Sequence, residues 1–153
     1  MIAMTEQERF GRSLAFTLKW EGGYSNDKDD PGYKTNFGIS KRFHPNTDIK
    51  NLTEEQASAI YYTDYWLKSG AILTQWPACL AIFDTAVNIG VRKVIGFISK
   101  MDTEIDPWAM AKNILENRKQ YYEKIVEKAP IFQKYINGWF NRIEDLKKYG
   151  DIK

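Results

Sequence analysis

The segment from Trp20 to Ser40 constrains the fold most, because it is too poor in apolar side chains to build a core. Asp, Asn, Gly and Pro are concentrated in its middle, and these residue types favour turns. Loops of this composition commonly carry binding or catalytic groups on a rigid scaffold. We therefore expect a functional loop here, held by the more regular segments on either side.

A helix leads into this loop. Thr5 and Glu8 have the spacing of a capping box, which predicts a helix from Thr5 to about Trp20. Within it, four residues recur at the helical period and share one face, which should pack on the core. These residues are Phe10, Leu14, Thr17 and Leu18.

Glu21 continues the register of that face, and the two glycines that follow it should end the helix. An apolar environment disfavours the charged form of a carboxyl group and raises its pKa. A carboxyl that keeps its proton near neutral pH is what cleavage of a glycosidic bond requires at the leaving group. The alternative is that Glu21 is a partly exposed helix-end residue without a chemical role.

Three aspartates of the loop, Asp27, Asp29 and Asp30, are candidates for a second carboxylate. An aspartate in a polar loop should stay ionised, and a protonated and an ionised carboxyl together suit glycoside hydrolysis. The alternative is that these aspartates only form turns. The residue pattern by itself leaves both interpretations open.

The rest of the chain predicts a mainly α fold, with at most a small β element near residues 25–42. Residues 35–40 suit either a short strand or the start of a helix. A second capping box at Thr53 and Gln56, and the pair Asp106-Pro107, mark two further helix starts. The later helices are expected at about 53–69, 78–90, 92–101, 107–128 and 132–146.

Composition narrows the range of functions. The net charge of +2 and the pI of about 8.5 are too mild to indicate a nucleic-acid partner. Cys79, the lone cysteine, excludes an internal disulfide and a cysteine metal site, and its apolar surroundings predict an inert thiol. His44, the lone histidine, lies in a polar loop and is expected to be structural or solvated. We expect neither a metal nor a cofactor.

The N-terminal segment has no apolar region of the kind found in signal peptides. No run of the sequence approaches the roughly 18 to 20 apolar residues that span a membrane. We therefore expect synthesis in the cytoplasm and no stable membrane insertion. Action outside the cytoplasm would require another route of delivery.

Three motifs occur in order along nearly the whole chain. Residues 21–39 contain EGGY, ND, DDPG and TNFGI, residues 83–90 read FDTAVNIG, and residues 138–142 read GWFNR. The first two motifs resemble the signatures of glycoside hydrolase family 108, which comprises lysozyme-like muramidases of phages, prophages and bacteria, some described as secretion activators. The third resembles the Gly-Trp-x-x-Arg pattern of an associated C-terminal region that is predicted to bind peptidoglycan.

This resemblance implies a lysozyme-like helical domain. It implies a muramidase-like catalytic region at residues 1–101 and a C-terminal helical region at residues 102–153, packed together as one unit. The implied substrate is the glycan strand of peptidoglycan, cleaved at the β-1,4 bond between N-acetylmuramic acid and N-acetylglucosamine. A phage endolysin, acting in the periplasm or outside the cell after release, is one form that such an enzyme takes.

The resemblance also assigns roles to residues of the loop. It implies that Glu21 is the general acid. The chain is similar, more distantly, to phage-type lysozymes, in which an Asp follows the catalytic Glu by nine residues and a Thr comes a few residues later. Asp30 and Thr35 stand at matching positions and would be the second carboxylate and the water-positioning residue.

Five residues are candidate substrate contacts: Tyr24, Asn36, Trp66, Asp84 and Asn88. Tyr24 follows the glycines and could stack on a sugar ring. Asp84 and Asn88 lie one helical turn apart on one face and could bind sugar N-acetyl and hydroxyl groups. Alternatively, they could bind loop backbone near the catalytic glutamate and hold it in place.

Other interpretations stay open. Trp139 and Arg142 are expected to be core and cap residues of the last helix rather than ligand contacts. A lytic transglycosylase would use the same glutamate for both proton transfers, and a non-catalytic peptidoglycan-binding or regulatory protein would retain the fold without the chemistry. The sequence indicates no particular oligomeric state.

Overall fold

The computed structural model of the chain describes residues 2–22, 25–26 and 34–153. Within these residues the protein is mainly α-helical, as the sequence predicts. The α-helices are α1 (Glu6–Glu21), α2 (Glu54–Tyr61), α3 (Ala78–Ile89), α4 (Val91–Ile98), α5 (Pro107–Lys128) and α6 (Ile136–Gly150). The shorter helical segments are a π-helical turn at Tyr62–Leu67 and 3₁₀ turns at Ala71–Leu73 and Pro130–Tyr135.

The helix starts follow from local capping chemistry. The hydroxyl of Thr5 accepts a hydrogen bond from the Glu8 amide at 3.1 Å, and the Glu8 carboxylate accepts one from the Thr5 amide at 3.0 Å. Thr53 and Gln56 make the same reciprocal pair at 3.1 and 3.0 Å. Asp106 caps α5 through two backbone amides. Both predicted capping boxes and the predicted start of α5 are therefore confirmed.

The bounds of two predicted helices differ from those that the sequence pattern suggests. The helix expected at 53–69 is α-helical only to Tyr61 and then widens into the π-helical turn Tyr62–Leu67. The last helix begins at Ile136, because the six residues from Pro130 form a 3₁₀ turn first. Apolar spacing over six residues does not distinguish α, π and 3₁₀ geometry, so periodicity alone missed both changes.

Helix α3 is the centre of the core. Its residues from Ala78 to Ala86 are all buried, and α1, α4 and α5 pack directly on it. A helix that is apolar around most of its circumference is expected to be surrounded by others. Cys79 lies in this helix with no exposed surface, and burial raises the pKa of its thiol to about 11, which fits the predicted inert cysteine.

A small antiparallel sheet follows α1. Its strands, in spatial order, are β1 (Ser25–Asn26), β2 (Lys34–Asn36) and β3 (Ile39–Ser40). Strands β2 and β3 are joined by a two-residue turn at Phe37 and Gly38, whose φ angles are +50° and +74°. Positive φ at both central residues is the pattern of a type I′ hairpin. For residues 35–40 the strand alternative is therefore confirmed and the helical alternative is wrong.

The hairpin turn packs against the end of α1. The hydroxyl of Tyr61 donates a hydrogen bond to the Phe37 carbonyl at 2.5 Å. A Cβ added to Gly38 would lie 2.5 Å from the Tyr61 hydroxyl oxygen and 2.7 Å from the Cβ of Glu21. The turn therefore packs directly on the Tyr61 hydroxyl and on the base of the Glu21 side chain, and it leaves no room for a side chain at residue 38.

Helices α5 and α6 pack on each other, and they also pack on α3 and α1 respectively. The predicted division of the chain near residue 101 stays a prediction. None of the helices in the described ranges is long and apolar enough to cross a membrane.

Replacement of Gly38 by Ala tests the hairpin contact. We expect Gly38→Ala to lower the free energy of unfolding by about 1–3 kcal/mol, because it combines positive φ with a steric clash. Urea denaturation measures the change. Gly11 is the matched control, since it lies within α1 with no neighbouring atom within 4 Å of an added Cβ. Gly11→Ala should stabilise by about 0.5–1 kcal/mol. Similar effects at the two glycines would contradict the close packing.

Candidate active site

Glu21 is the last residue of α1 and lies at the edge of the core. Its side chain is 21% exposed, and its Oε1 accepts a hydrogen bond from Nη1 of Arg142 at 3.0 Å. The positive φ of Gly22, +73°, ends the helix immediately after it. The chain therefore stops α1 at the point where one side of the carboxyl faces the interior and part of it still reaches solvent.

The environment of Glu21 favours its protonated form. Burial raises the pKa of this carboxyl above its ordinary value of 4.5, and the ion pair with Arg142 lowers the pKa by less than burial raises it. The net direction is upward, as the sequence pattern predicts. Glu21 thus retains its proton to higher pH than an exposed glutamate does, while its hydrogen-bond partner fixes its orientation.

Arg142, from α6, connects Glu21 to a second carboxyl. Its Nη2 donates to Oδ1 of Asp84 at 2.8 Å and its Nε donates to Oδ2 of Asp84 at 3.1 Å. The guanidinium is therefore held bidentately by Asp84 and uses its remaining Nη1 for Glu21. Arg142 is 6% exposed, so this ion-pair chain lies almost entirely out of water.

Asp84 is fully buried and is the centre of the polar network. Besides Arg142, it accepts hydrogen bonds from Thr17 at 2.8 Å and from Arg118 at 2.9 Å. Burial by itself raises the pKa of this carboxyl, but the two guanidinium groups outweigh burial and hold the pKa below its ordinary value of 3.8. Asp84 is therefore an ionised structural anion within the core.

The burial of Asp84 corrects its prediction as a substrate contact. With no exposed surface and both oxygens occupied, its carboxylate has no path to a sugar. The alternative, that Asp84 binds loop backbone near Glu21, is also not what its contacts show, because its donors among the described residues are the side chains of Thr17, Arg118 and Arg142. Asp84 instead acts through Arg142, the arginine that binds Glu21.

Trp66 is corrected for the same reason. Its side chain has no exposed surface, its ring packs edge-on against Phe10 and Phe83, and its indole N–H donates to Glu6 at 2.8 Å. The residue is a core aromatic with a satisfied polar group. An aromatic residue in an amphipathic segment has the same sequence signature whether it packs inside or binds a sugar.

Thr35, Asn36 and Asn88 are partly buried. Thr35 lies in β2, with its backbone paired to Ser25 on one side and Ser40 on the other. Predicted roles for all three in catalysis or binding stay predictions. Tyr24 and Asp30 lie outside the described residues, as do Asp27 and Asp29.

Two of these residues have polar contacts that limit their freedom. The Asn36 amide donates to the carbonyl of Ile49 at 3.1 Å and so holds the loop before α2. The side-chain oxygen Oδ1 of Asn88 accepts a hydrogen bond from the Tyr122 hydroxyl. That hydroxyl in turn accepts a hydrogen bond from Nε of Arg118 at 2.8 Å. Asn88 is thereby linked to the Asp84 network through α5.

Sequence reasoning missed Arg118 and the role of Arg142. Arg118 has no exposed surface and lies between the buried residues Leu115 and Tyr122 of α5. Arg142 directly precedes the buried Ile143 of α6. Each arginine lies on the inward, apolar face of its helix, α5 or α6, and the sequence shows this position. A buried cation requires a buried anion, so this pattern could have predicted a buried carboxylate partner.

No cluster of metal-ligating side chains occurs in the parts of the chain that the structure describes. The arrangement at Glu21 is suited to proton transfer, because it combines a carboxyl with a raised pKa, a fixed orientation and partial access to solvent.

A mainly helical domain that holds such a carboxyl at a helix end, beside a small antiparallel sheet, has the features of a lysozyme-like glycoside hydrolase. The sequence profile of the family described as Glycosyl hydrolase 108 matches residues 14–90, just over half of the chain. The chain therefore belongs to glycosyl hydrolase family 108. The family prediction from the sequence motifs is confirmed, whereas peptidoglycan binding by the C-terminal region stays a prediction.

The fold is similar to that in the structure of Brucella abortus SagA. The TM-score is 0.75, the sequences are 19% identical, and the match covers 92% of each chain. At this identity the similarity concerns the fold alone. No curated protein matches the sequence.

Replacement of Arg142 tests the ion-pair network. We expect Arg142→Met to lower the free energy of unfolding by about 3–5 kcal/mol, because it removes one of the two cations that neutralise buried Asp84. Lys147→Met is the matched control on the same helix, since Lys147 pairs with Glu144 at the surface. It should change stability by about 0–1 kcal/mol. Chemical denaturation measures both values, and equal losses would contradict a structural role for Arg142.

The raised pKa of Glu21 predicts how its own replacement affects stability. Above pH 4.5 the folded protein resists ionisation of this carboxyl more than the unfolded chain does, so its contribution to stability declines as pH rises through that range. Glu21→Gln removes this cost. We expect the variant to be at least as stable as the wild type near pH 8, with the difference disappearing below pH 4.5.

Thermal unfolding of both proteins between pH 4 and pH 8 measures this difference. A variant that is less stable than the wild type near pH 8, and equal to it in acid, would contradict the direction of the pKa shift.

Proposed function

We propose that the chain is an N-acetylmuramidase that cleaves the β-1,4 bond between N-acetylmuramic acid and N-acetylglucosamine in peptidoglycan, with Glu21 as the general acid. Membership of a glycoside hydrolase family supports the reaction type. The observation that carries the assignment of the acid is the position of Glu21, whose partly exposed carboxyl has a raised pKa and a fixed orientation.

In the proposed reaction, the protonated Glu21 donates its proton to the glycosidic oxygen as the bond to the anomeric carbon breaks. The carboxylate that forms is negative and partly buried. Arg142 already donates a hydrogen bond to Oε1 from 3.0 Å, so its positive charge stabilises this product of proton transfer without any rearrangement. The same arginine that limits the pKa rise therefore also favours the transfer.

A water molecule would complete hydrolysis from the opposite face of the sugar. Asp30 is the proposed second carboxylate, and Thr35 is proposed to position the water, as the resemblance to phage-type lysozymes implies. A carboxylate separation of about 6.5–9.5 Å would indicate inversion at the anomeric carbon, and about 5–5.5 Å would indicate retention. Tyr24, Asn36 and Asn88 are proposed to contact the glycan.

The proposed substrate sets the place of action. Peptidoglycan lies outside the cytoplasmic membrane, so we propose that the chain acts on the cell wall in the periplasm or outside the cell after release. A phage endolysin released through a membrane pore and a secretion activator that opens the wall are both consistent with this proposal.

Loss of turbidity of purified peptidoglycan tests the assignment. We expect Glu21→Gln to lower the rate by about 10²–10⁴-fold, because the amide cannot supply the proton. Glu123→Gln is the matched control, since Glu123 is an exposed residue of α5 and its change removes the same charge. Equal rates for wild type and Glu21→Gln would refute the role of Glu21.

The mass of the released product separates the remaining alternatives. Hydrolysis adds the elements of water to the cleaved strand, whereas a lytic transglycosylase yields an anhydro sugar with no added water. Binding to peptidoglycan without cleavage by the wild type would instead support a non-catalytic binding or regulatory protein.

A further inference from the structure

A groove between α4 and α5 concentrates positive charge. Its volume is about 270 Å³, close to the lower end of the range for ligand pockets. The residues that line it, among those the structure describes, include no aspartate or glutamate. Four of them are lysines: Lys93, Lys100, Lys124 and Lys128.

Within the described part of the chain, no carboxylate pairs with these lysines, whereas the surface lysines Lys19, Lys68 and Lys147 each pair with one. The net charge of the whole chain is only +2, so the groove is a strong local excess of positive charge. Such an excess raises the local concentration of anionic ligands.

The register of α5 explains this separation of charge. Lys124 and Lys128 are one helical turn apart and therefore lie on one face, together with Tyr121. The acidic residues Glu123 and Glu127 belong to the same helix but do not line the groove. The helix thus presents Lys124 and Lys128 to the groove, whereas Glu123 and Glu127 take no part in its lining.

The groove also has apolar and hydrogen-bonding parts. Phe97, Tyr121 and Ile125 line it, and the ammonium group of Lys93 lies 5.0 Å from the centre of the Tyr121 ring. The Asn117 side chain donates from Nδ2 to the backbone carbonyl and the side chain of Asn113, at 2.8 and 2.7 Å. Its own carbonyl oxygen accepts no hydrogen bond within the described residues.

This combination favours a peptide over a phosphate group. The side-chain carbonyl of Asn117 can accept a hydrogen bond, which peptide N–H groups supply and a phosphate diester does not. Apolar side chains suit the aliphatic parts of amino acids, and ammonium groups suit carboxylates. A flat bilayer surface would meet only the rims of a concave groove.

We propose that the groove between α4 and α5 binds a short acidic peptide. If the proposed function holds, this ligand is the peptide stem of peptidoglycan, which carries free carboxylates and is attached to the glycan strand that Glu21 cleaves. The groove then makes the protein select strands that still bear peptides. Because α5 also carries Arg118 and Tyr122 of the buried network, the groove and the site share one rigid helix.

Binding, measured separately from cleavage, tests the proposal. Glu21→Gln protein is mixed at low salt with intact peptidoglycan and with glycan strands from which an amidase has removed the peptides. The test variant adds Lys100→Gln and Lys124→Gln, one lysine from each side of the groove. The matched control adds Lys112→Gln and Lys153→Gln, which lie along a different surface depression and remove the same charge.

We expect the test variant to bind intact peptidoglycan about 3- to 10-fold more weakly than its parent, as the loss of two exposed charge pairs implies. It should bind the peptide-free strands as its parent does, and the control variant should bind both polymers normally. The difference should also diminish as the salt concentration rises. Circular dichroism verifies that the variants are folded.

Equal binding of intact and peptide-free strands by the parent protein would overturn the proposal, as would equal losses in the test and control variants. Binding of anionic lipid vesicles or of an oligonucleotide that depends on Lys100 and Lys124, without binding of synthetic stem peptides, would assign the groove to another ligand. Cleavage of peptidoglycan by the wild type is measured independently, so failure of this proposal leaves the hydrolase assignment standing.

Discussion

The buried carboxylate of Asp84 is the constraint on which the rest of the structure depends. A charge with no exposed surface is tolerated in a core only when it is paired and hydrogen-bonded. Asp84 obtains its partners from three other helices: Thr17 from α1, Arg118 from α5 and Arg142 from α6. These helices must therefore converge on one point of α3, and Glu21 lies at the edge of that point.

Two carboxyl groups share one guanidinium and behave in opposite ways. Asp84 has two arginines and a threonine as donors, and its pKa is lowered despite complete burial. Glu21 has one hydrogen bond from Arg142, and burial raises its pKa. The number of donors, more than the depth of burial, thus decides which carboxyl is the permanent anion and which can hold a proton. When the pKa values of two neighbouring carboxyl groups diverge in this way, one group can stay ionised and hold the structure together while the other can hold a proton.

The features predicted from sequence are those set by residues close together in the chain. Capping at Thr5 and Thr53 is decided within four residues, and the glycine after Glu21 ends α1 locally. The partner of Glu21 could not be predicted in this way, because Arg142 lies 121 residues away and no local pattern connects them. A residue such as Asp84 occupies the same position in the helical repeat whether it faces a ligand or another helix. Only the packing of α5 and α6 against α3 reveals its role.

The long separation of Glu21 and Arg142 has a consequence for the growing polypeptide. A nascent chain carries the glutamate 121 residues before it carries the arginine. Until α6 has been synthesised and has docked, Asp84 lacks one of its two cations and Glu21 lacks its hydrogen-bond donor. The contact that orients Glu21, the proposed general acid, can therefore form only after α6 has been synthesised, and a chain cut before α6 would contain Glu21 without Arg142.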